Sequence, residues 1–122
     1  MSDKLAPMSD SLPIIMRSYD TYKRIVDVTI DLPKRWKYGI GLSIEQSILS
    51  CLEELVMAKN APRSLKAAYL IRASSHLEVT TLKMRLLLEL KLANETKIFQ
   101  IQANLEEIGR MLGGWLKSTQ SL

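Results

Sequence analysis

The chain holds one histidine, His76, and one cysteine, Cys51, so nucleophile and base chemistry would have to bring these two together. A thiol attacks as a thiolate made by a neighbouring base, and neither segment supplies one locally. His76 reads as a structural residue on a helical seam, and Cys51 as a small core residue. A di-metal carboxylate centre would need inward-facing Glu-x-x-His pairs from two helices, which a single histidine does not provide. Gly39-Ile40-Gly41 lacks the third glycine and the preceding strand of a dinucleotide site, and reads as a loop leading into a helix. Glu106 and Glu107 read as surface carboxylates, with Glu106 pairing with Arg110 one turn later. No catalytic residue, metal or cofactor is expected.

What remains is recognition by charge and stacking. In KRWKY, residues 34–38, Lys34, Arg35 and Lys37 are interleaved with Trp36 and Tyr38, a composition suited to phosphate contacts plus stacking on an unpaired base. The same aromatics could instead cover the end of a hydrophobic core. Lys91 and Lys97 should lie at the same end, enlarging the patch to five cations and making binding sensitive to salt. Lys59, Arg63 and Lys66 gather at the opposite end, and Lys83 and Arg85 interrupt a leucine-rich stretch. Arg85 either faces outward or bonds across an interface between copies.

These residues need a scaffold, and the periodicity predicts an all-α chain of four amphipathic helices at about 14–31, 43–59, 64–92 and 95–118, with tails at 1–12 and 119–122. Ile15, Tyr19, Tyr22, Val26 and Thr29 mark the inner face of the first helix, Ile25, Val28 and Leu32 widen it, and Pro33 ends the helix. Ser43 is the expected N-cap of the second, and Ile44, Ile48, Leu52, Leu55 and Val56 its buried face. The third has a seam of Leu65, Tyr69, Ala73, His76 or Leu77, Thr80, Met84 and Leu87, and its broad apolar C-terminal half suggests a second packing surface. Asn94 caps the fourth, whose seam is Ile101, Leu105, Ile108, Leu112 and Trp115. Short connectors then imply an antiparallel up-down-up-down four-helix bundle.

Within the fourth helix, Gly109 and Gly113 lie one above the other beside that seam. Each glycine costs a helix about 1 kcal/mol relative to alanine, and close packing of a neighbouring helix against Gly109, Gly113 and Trp115 would offset this. The competing reading makes Gly113 a left-handed helix stop. Leucine at Gly113 should then be more damaging than leucine at Gly114.

Composition adds bounds. The 122 residues are 47% hydrophobic and 25% charged, a balance that favours one globular domain over disorder. Seventeen Lys and Arg against thirteen Asp and Glu give +4, which permits a polyanion partner without requiring one. No apolar run reaches the roughly 20 residues of a membrane span, and the lone cysteine fits a reducing compartment, so a cytoplasmic location is expected.

Three segments carry a resemblance: LPIIMRSYDTYKRIVDVTIDLPK at residues 12–34, LKMRLLLELKL at 82–92, and EEIGRMLGGWLKS from Glu106. Together they resemble the Avd family, four-helix-bundle accessory proteins of diversity-generating retroelements, over about residues 12–119. The most specific pieces are E-I-G-x-x-L-G-G-W, Glu107 to Trp115, and an opening helix with Tyr19-Asp20 and Pro33-Lys34. The sequence departs from many relatives in its short connection LELKLANETK. The resemblance implies a homopentamer with a basic outer surface that binds a reverse transcriptase and its template RNA, and possibly cDNA, in support of mutagenic cDNA synthesis (retrohoming). On that reading Lys34, Arg35, Trp36, Lys37, Tyr38, Lys83, Arg85, Lys91 and Lys97 are the contact residues. The glycine block also occurs in bundle proteins encoded by ribosomal RNA intervening sequences. The alternative is therefore a free-standing bundle with a structural or RNA-binding role.

Overall fold

The structure is a computed structural model that describes the backbone of residues 2–120 and the side chains of residues 11–120. Side chains of most of the expected N-terminal tail, 1–12, and residues 121 and 122 of the C-terminal tail lie outside the described residues. Among the described residues every regular element is helical: α1 (Ser2–Thr29), the single turn α2 (Lys34–Trp36), a π-helical turn (Lys37–Gly41), α3 (Leu42–Asn60), α4 (Arg63–Glu89) and α5 (Glu95–Gln120). No helix among them is long and apolar enough to cross a membrane.

The connector expected at residues 33–41 is helical instead. Pro33, extended at φ −53° and ψ 145°, caps α2, and its carbonyl accepts from Trp36 and Lys37 at 2.8 and 2.9 Å. The Leu42 N–H bonds back to the Lys37 carbonyl, the wide spacing of a π turn, so the chain enters α3 without a break. Neither glycine there supplies a left-handed bend. Gly41 is tightly packed: a Cβ would sit 3.1 Å from Leu32 Cδ1, which would have to shift by a few tenths of an ångström, and 3.5 Å from the Trp36 carbonyl. Ser43 is consequently interior to the helix rather than its N-cap, and its carbonyl accepts from the Ser47 hydroxyl at 3.1 Å.

The other ends follow local chemistry. Ala61 is extended before Pro62, which stops α3, and the Lys66 ammonium covers its last carbonyls, donating to Ala58 at 2.7 Å and Lys59 at 3.1 Å. α4 closes through paired bonds, Leu92 N–H to the Leu87 carbonyl and Lys91 N–H to that of Leu88, with Lys91 left-handed at φ 56°. Asn94 does cap α5: its Oδ1 accepts from the Lys97 N–H at 3.0 Å.

Each long helix packs on two others: α1 and α4 both contact α3 and α5. One core fills the space between, with Ile14 and Ile25 from α1, Ile48 and Leu55 from α3, Leu70 and Met84 from α4, and Ile101 to Trp115 from α5. Arg17 pairs with Glu107 and Asp27 with Lys97, so numbers rise along α1 as they fall along α5. Contacts from Glu54 to Arg72 and from Ser47 to Lys83 show the same reversal between α3 and α4.

The inner face of α1 matches the expected one only in part: Ile25, Val28, Thr29 and Leu32 are buried as expected, but the centre of the buried stripe lies to one side of Tyr19 and Tyr22. Ile14, Ser18, Thr21, Ile25 and Val28 are buried, whereas Tyr19 is 45% exposed and Ile15, Tyr22 and Val26 are half-buried. Ser18 and Thr21 fit the core because each hydroxyl donates to a carbonyl one turn back, Ile14 and Arg17, both at 2.8 Å. The hydroxyl is satisfied within the helix, and the residue then packs as a small apolar one. In α3, Val56 likewise points to solvent while Cys51 and Ala58 are buried; in α4, Leu65 is exposed and Leu70 takes the core position.

Candidate nucleic-acid interface

The two ends of the molecule differ in what their cations do. At the end holding the α3–α4 connection, Lys66 covers carbonyls of α3, and Arg63 Nη2 donates to the Ser118 carbonyl in the last turn of α5 at 3.3 Å. Burial lowers the Lys66 pKa from 10.5. These cations close helix C-termini, where the backbone dipoles favour positive charge.

At the other end the arrangement is open. Lys34, Arg35, Lys37 and Lys91 have no carboxylate partner among the described residues. Trp36 is half-buried against the core, so it does cover the end of the bundle, with the Arg35 guanidinium 5.4 Å from its ring centre. Tyr38 is 66% exposed and carries the Lys37 ammonium 5.9 Å from its ring centre. The two aromatics thus divide the roles that were open from the sequence: Trp36 packs, and Tyr38 presents an exposed ring beside the Lys37 ammonium. The π turn sets this, because its widened backbone carries Tyr38 and Gly39 away from the core while Gly41 seals against Leu32.

Lys97 does not add a free charge there. Its Nζ lies 3.1 Å from Asp27 Oδ2, and the shallow cavity between α1 and the α4–α5 turn is lined by Asp27, Asp31, Asn94 and Lys97. Two acidic residues therefore interrupt the expected five-cation patch. Their signal in the sequence is the Asp-x-x-x-Asp spacing immediately before the cationic run.

Lys83 is committed to its own chain, with its half-buried ammonium donating 2.6 Å to the Ser47 hydroxyl and 3.3 Å to the Ser43 carbonyl. It ties α4 to α3. Arg85 is exposed and donates to Glu89 one turn on at 3.1 Å. Glu107, rather than Glu106, carries an ion pair, with Arg17 of α1. Glu106 and Arg110 instead line an open groove between α4 and α5, along with Leu77, Glu78, Leu105 and Gly109.

The glycine-rich helix continues unbroken to Gln120, so Gly113 is no helix stop, and Trp115 is buried at 8% exposure. A Cβ at Gly109 would meet Leu77 Cδ2 at 3.6 Å, an ordinary contact, while one at Gly113 or Gly114 would meet nothing within 4 Å. Close approach of a neighbouring helix of the same chain at Gly113, the expectation from its spacing, does not occur.

Cys51 is fully buried, and burial, followed by the nearby Glu54 charge, pushes its thiol from 9.0 up to about 12. A thiol so hard to ionise is a poor nucleophile. Half-buried His76 belongs to α4, its carbonyl accepting from Thr80 at 2.7 Å.

Comparison with curated proteins gives no match to the chain. Among protein families, the bAvd-like family matches residues 13–119, which span α1 from Pro13 through nearly all of α5. The chain belongs to the bAvd-like family.

Proposed function

We propose that this protein is a non-catalytic accessory factor of a diversity-generating retroelement, acting in the cytoplasm as a homopentamer of antiparallel up-down-up-down bundles. It binds the reverse transcriptase and its template RNA and supports mutagenic cDNA synthesis. Family membership over residues 13–119 supports the retroelement assignment, and the reversed numbering across helix pairs supports the topology. The observation that carries the RNA contact is the exposed Tyr38 ring with the Lys37 ammonium beside it, a few residues along the chain from the unpaired Lys34 and Arg35. Those cations attract a phosphate backbone, and the ring offers a stacking surface for an unpaired base.

The test is fluorescence anisotropy with single-stranded RNA at several salt concentrations, together with co-purification of a co-expressed retroelement reverse transcriptase. Replacing Lys34, Arg35 and Lys37 with alanine should lower the slope of log affinity against log salt by about 2. Tyr38→Ala should weaken binding roughly tenfold with the slope retained. Binding indifferent to salt in the native protein, or absence of the polymerase from the purified complex, would overturn the reading.

A further inference from the structure

Two apolar seams face solvent. On α1, Leu12, Met16, Tyr19, Val26 and Ile30 fall at heptad-type positions on the side away from buried Ile14, Thr21 and Ile25, and Lys23 fills the remaining position. Along α4 and its C-cap Leu90, Ile71, Val79, Leu82, Leu86 and Leu90 form a broader apolar stripe, without strict heptad spacing, on the side away from Leu70, Leu77 and Met84. The large side chains of these seams, the half-buried Val26 apart, are 39 to 57% exposed. The seams match in length, about 27 and 29 Å at the helical rise of 1.5 Å per residue. Lys23 is satisfied locally, with Asp20 at 3.8 Å and the Tyr19 ring centre at 5.2 Å, and a single polar residue in such a seam sets register.

Their placement decides what can cover them. α1 and α4 each pack on α3 and α5, so they occupy opposite corners of the bundle and their outer seams look in opposite directions. A two-fold pairing through either seam would leave the other in water on both copies. A head-to-tail contact covers one seam of each kind at every junction, and such contacts close into a ring when the rotation permits.

We propose that the α1 seam of one copy packs on the α4 seam of the next. This rests on the self-association in the reading above and adds which faces meet. Half-exposed side chains of this size present on the order of 80 Å² each, so the nine exposed ones supply roughly 700 Å². That is about 70% of the ~1,000 Å² that a specific interface requires, and the atoms flanking the two seams must supply the rest.

Two variants of the full chain test it, one with Leu82→Glu and Leu86→Glu, the other with Met16→Glu and Ile30→Glu. Both change exposed positions, so helical circular dichroism should be retained; glutamine at the same sites is the uncharged version should either fail to fold. Light scattering should give monomers for each variant alone and a one-to-one dimer when they are mixed, because the mixture holds one intact seam of each kind. An α1 variant that stays oligomeric, or a mixture that stays monomeric, overturns the pairing while leaving self-association standing. A monomeric native protein removes both.

Discussion

The Lys83 ammonium lies 2.6 Å from the Ser47 hydroxyl and 3.3 Å from the Ser43 carbonyl, so a cation that charge alone would assign to a polyanion instead fastens α4 to α3. Two residues further along, Arg85 reaches only Glu89 of its own helix and remains exposed. The contrast gives a direct comparison. Lys83→Ala should lower stability by about 1 to 2 kcal/mol, a charge-assisted bond being worth more than a neutral one. Arg85→Ala should cost less than about 0.5 kcal/mol. Urea midpoints of the two variants settle the order, and an equal loss in both would defeat the fastening role.

Lys91 holds a left-handed conformation at the C-terminus of α4, a place that glycine takes without strain. Lys91→Gly is expected to raise stability by about 0.5 to 1 kcal/mol, and Lys91→Val to lower it by a similar amount or more. Thermal melting of the pair measures both signs, and a drop in the glycine variant would show that the lysine side chain matters more than its backbone.

Glycines 41 and 113 should respond in opposite directions to alanine. A Cβ at Gly41 meets Leu32 Cδ1 at 3.1 Å beside a fixed carbonyl, so Gly41→Ala should destabilise by about 1 kcal/mol or more. Gly113 faces open space in an ordinary helical conformation, and Gly113→Ala should stabilise the protomer by up to about 1 kcal/mol through helix propensity. Denaturant midpoints measured at low protein concentration decide this, and two losses of equal size would contradict the open setting of Gly113.

The Cys51 thiol ionises near 12 in the folded chain and near 9.0 once exposed. Between those values the folded state holds a proton that the unfolded state releases, so stability is full below about pH 9 and falls as pH rises towards 12. A tenfold difference in proton affinity between the two states is worth about 1.4 kcal/mol, so the native protein should lose about that much between pH 9 and roughly pH 10.5 relative to Cys51→Ala. Melting temperatures of both proteins across that range provide the check; parallel curves would exclude the thiol as the cause.

Periodicity alone was enough for the helical class, for the inner seam of α5 from Ile101 to Trp115, and for the Asn94 cap, because each depends on spacing or chemistry within a few residues. The open tyrosine and its cations were also legible, in KRWKY, as a composition. Tertiary structure decided which face of α1 is inside. Both of its faces carry apolar residues, and hydrophobic spacing marks a stripe without saying which way it points, while backbone-bonded Ser18 and Thr21 pass as core. It also decided which cations are free. Lys83, Lys97 and Lys66 resemble Lys34 and Lys37 in the sequence, and only packing brings Ser47, Asp27 and the end of α3 within their reach. Charge is a property of the residue; its availability to a ligand depends on neighbours from eight to 70 positions away, which the folded chain brings near.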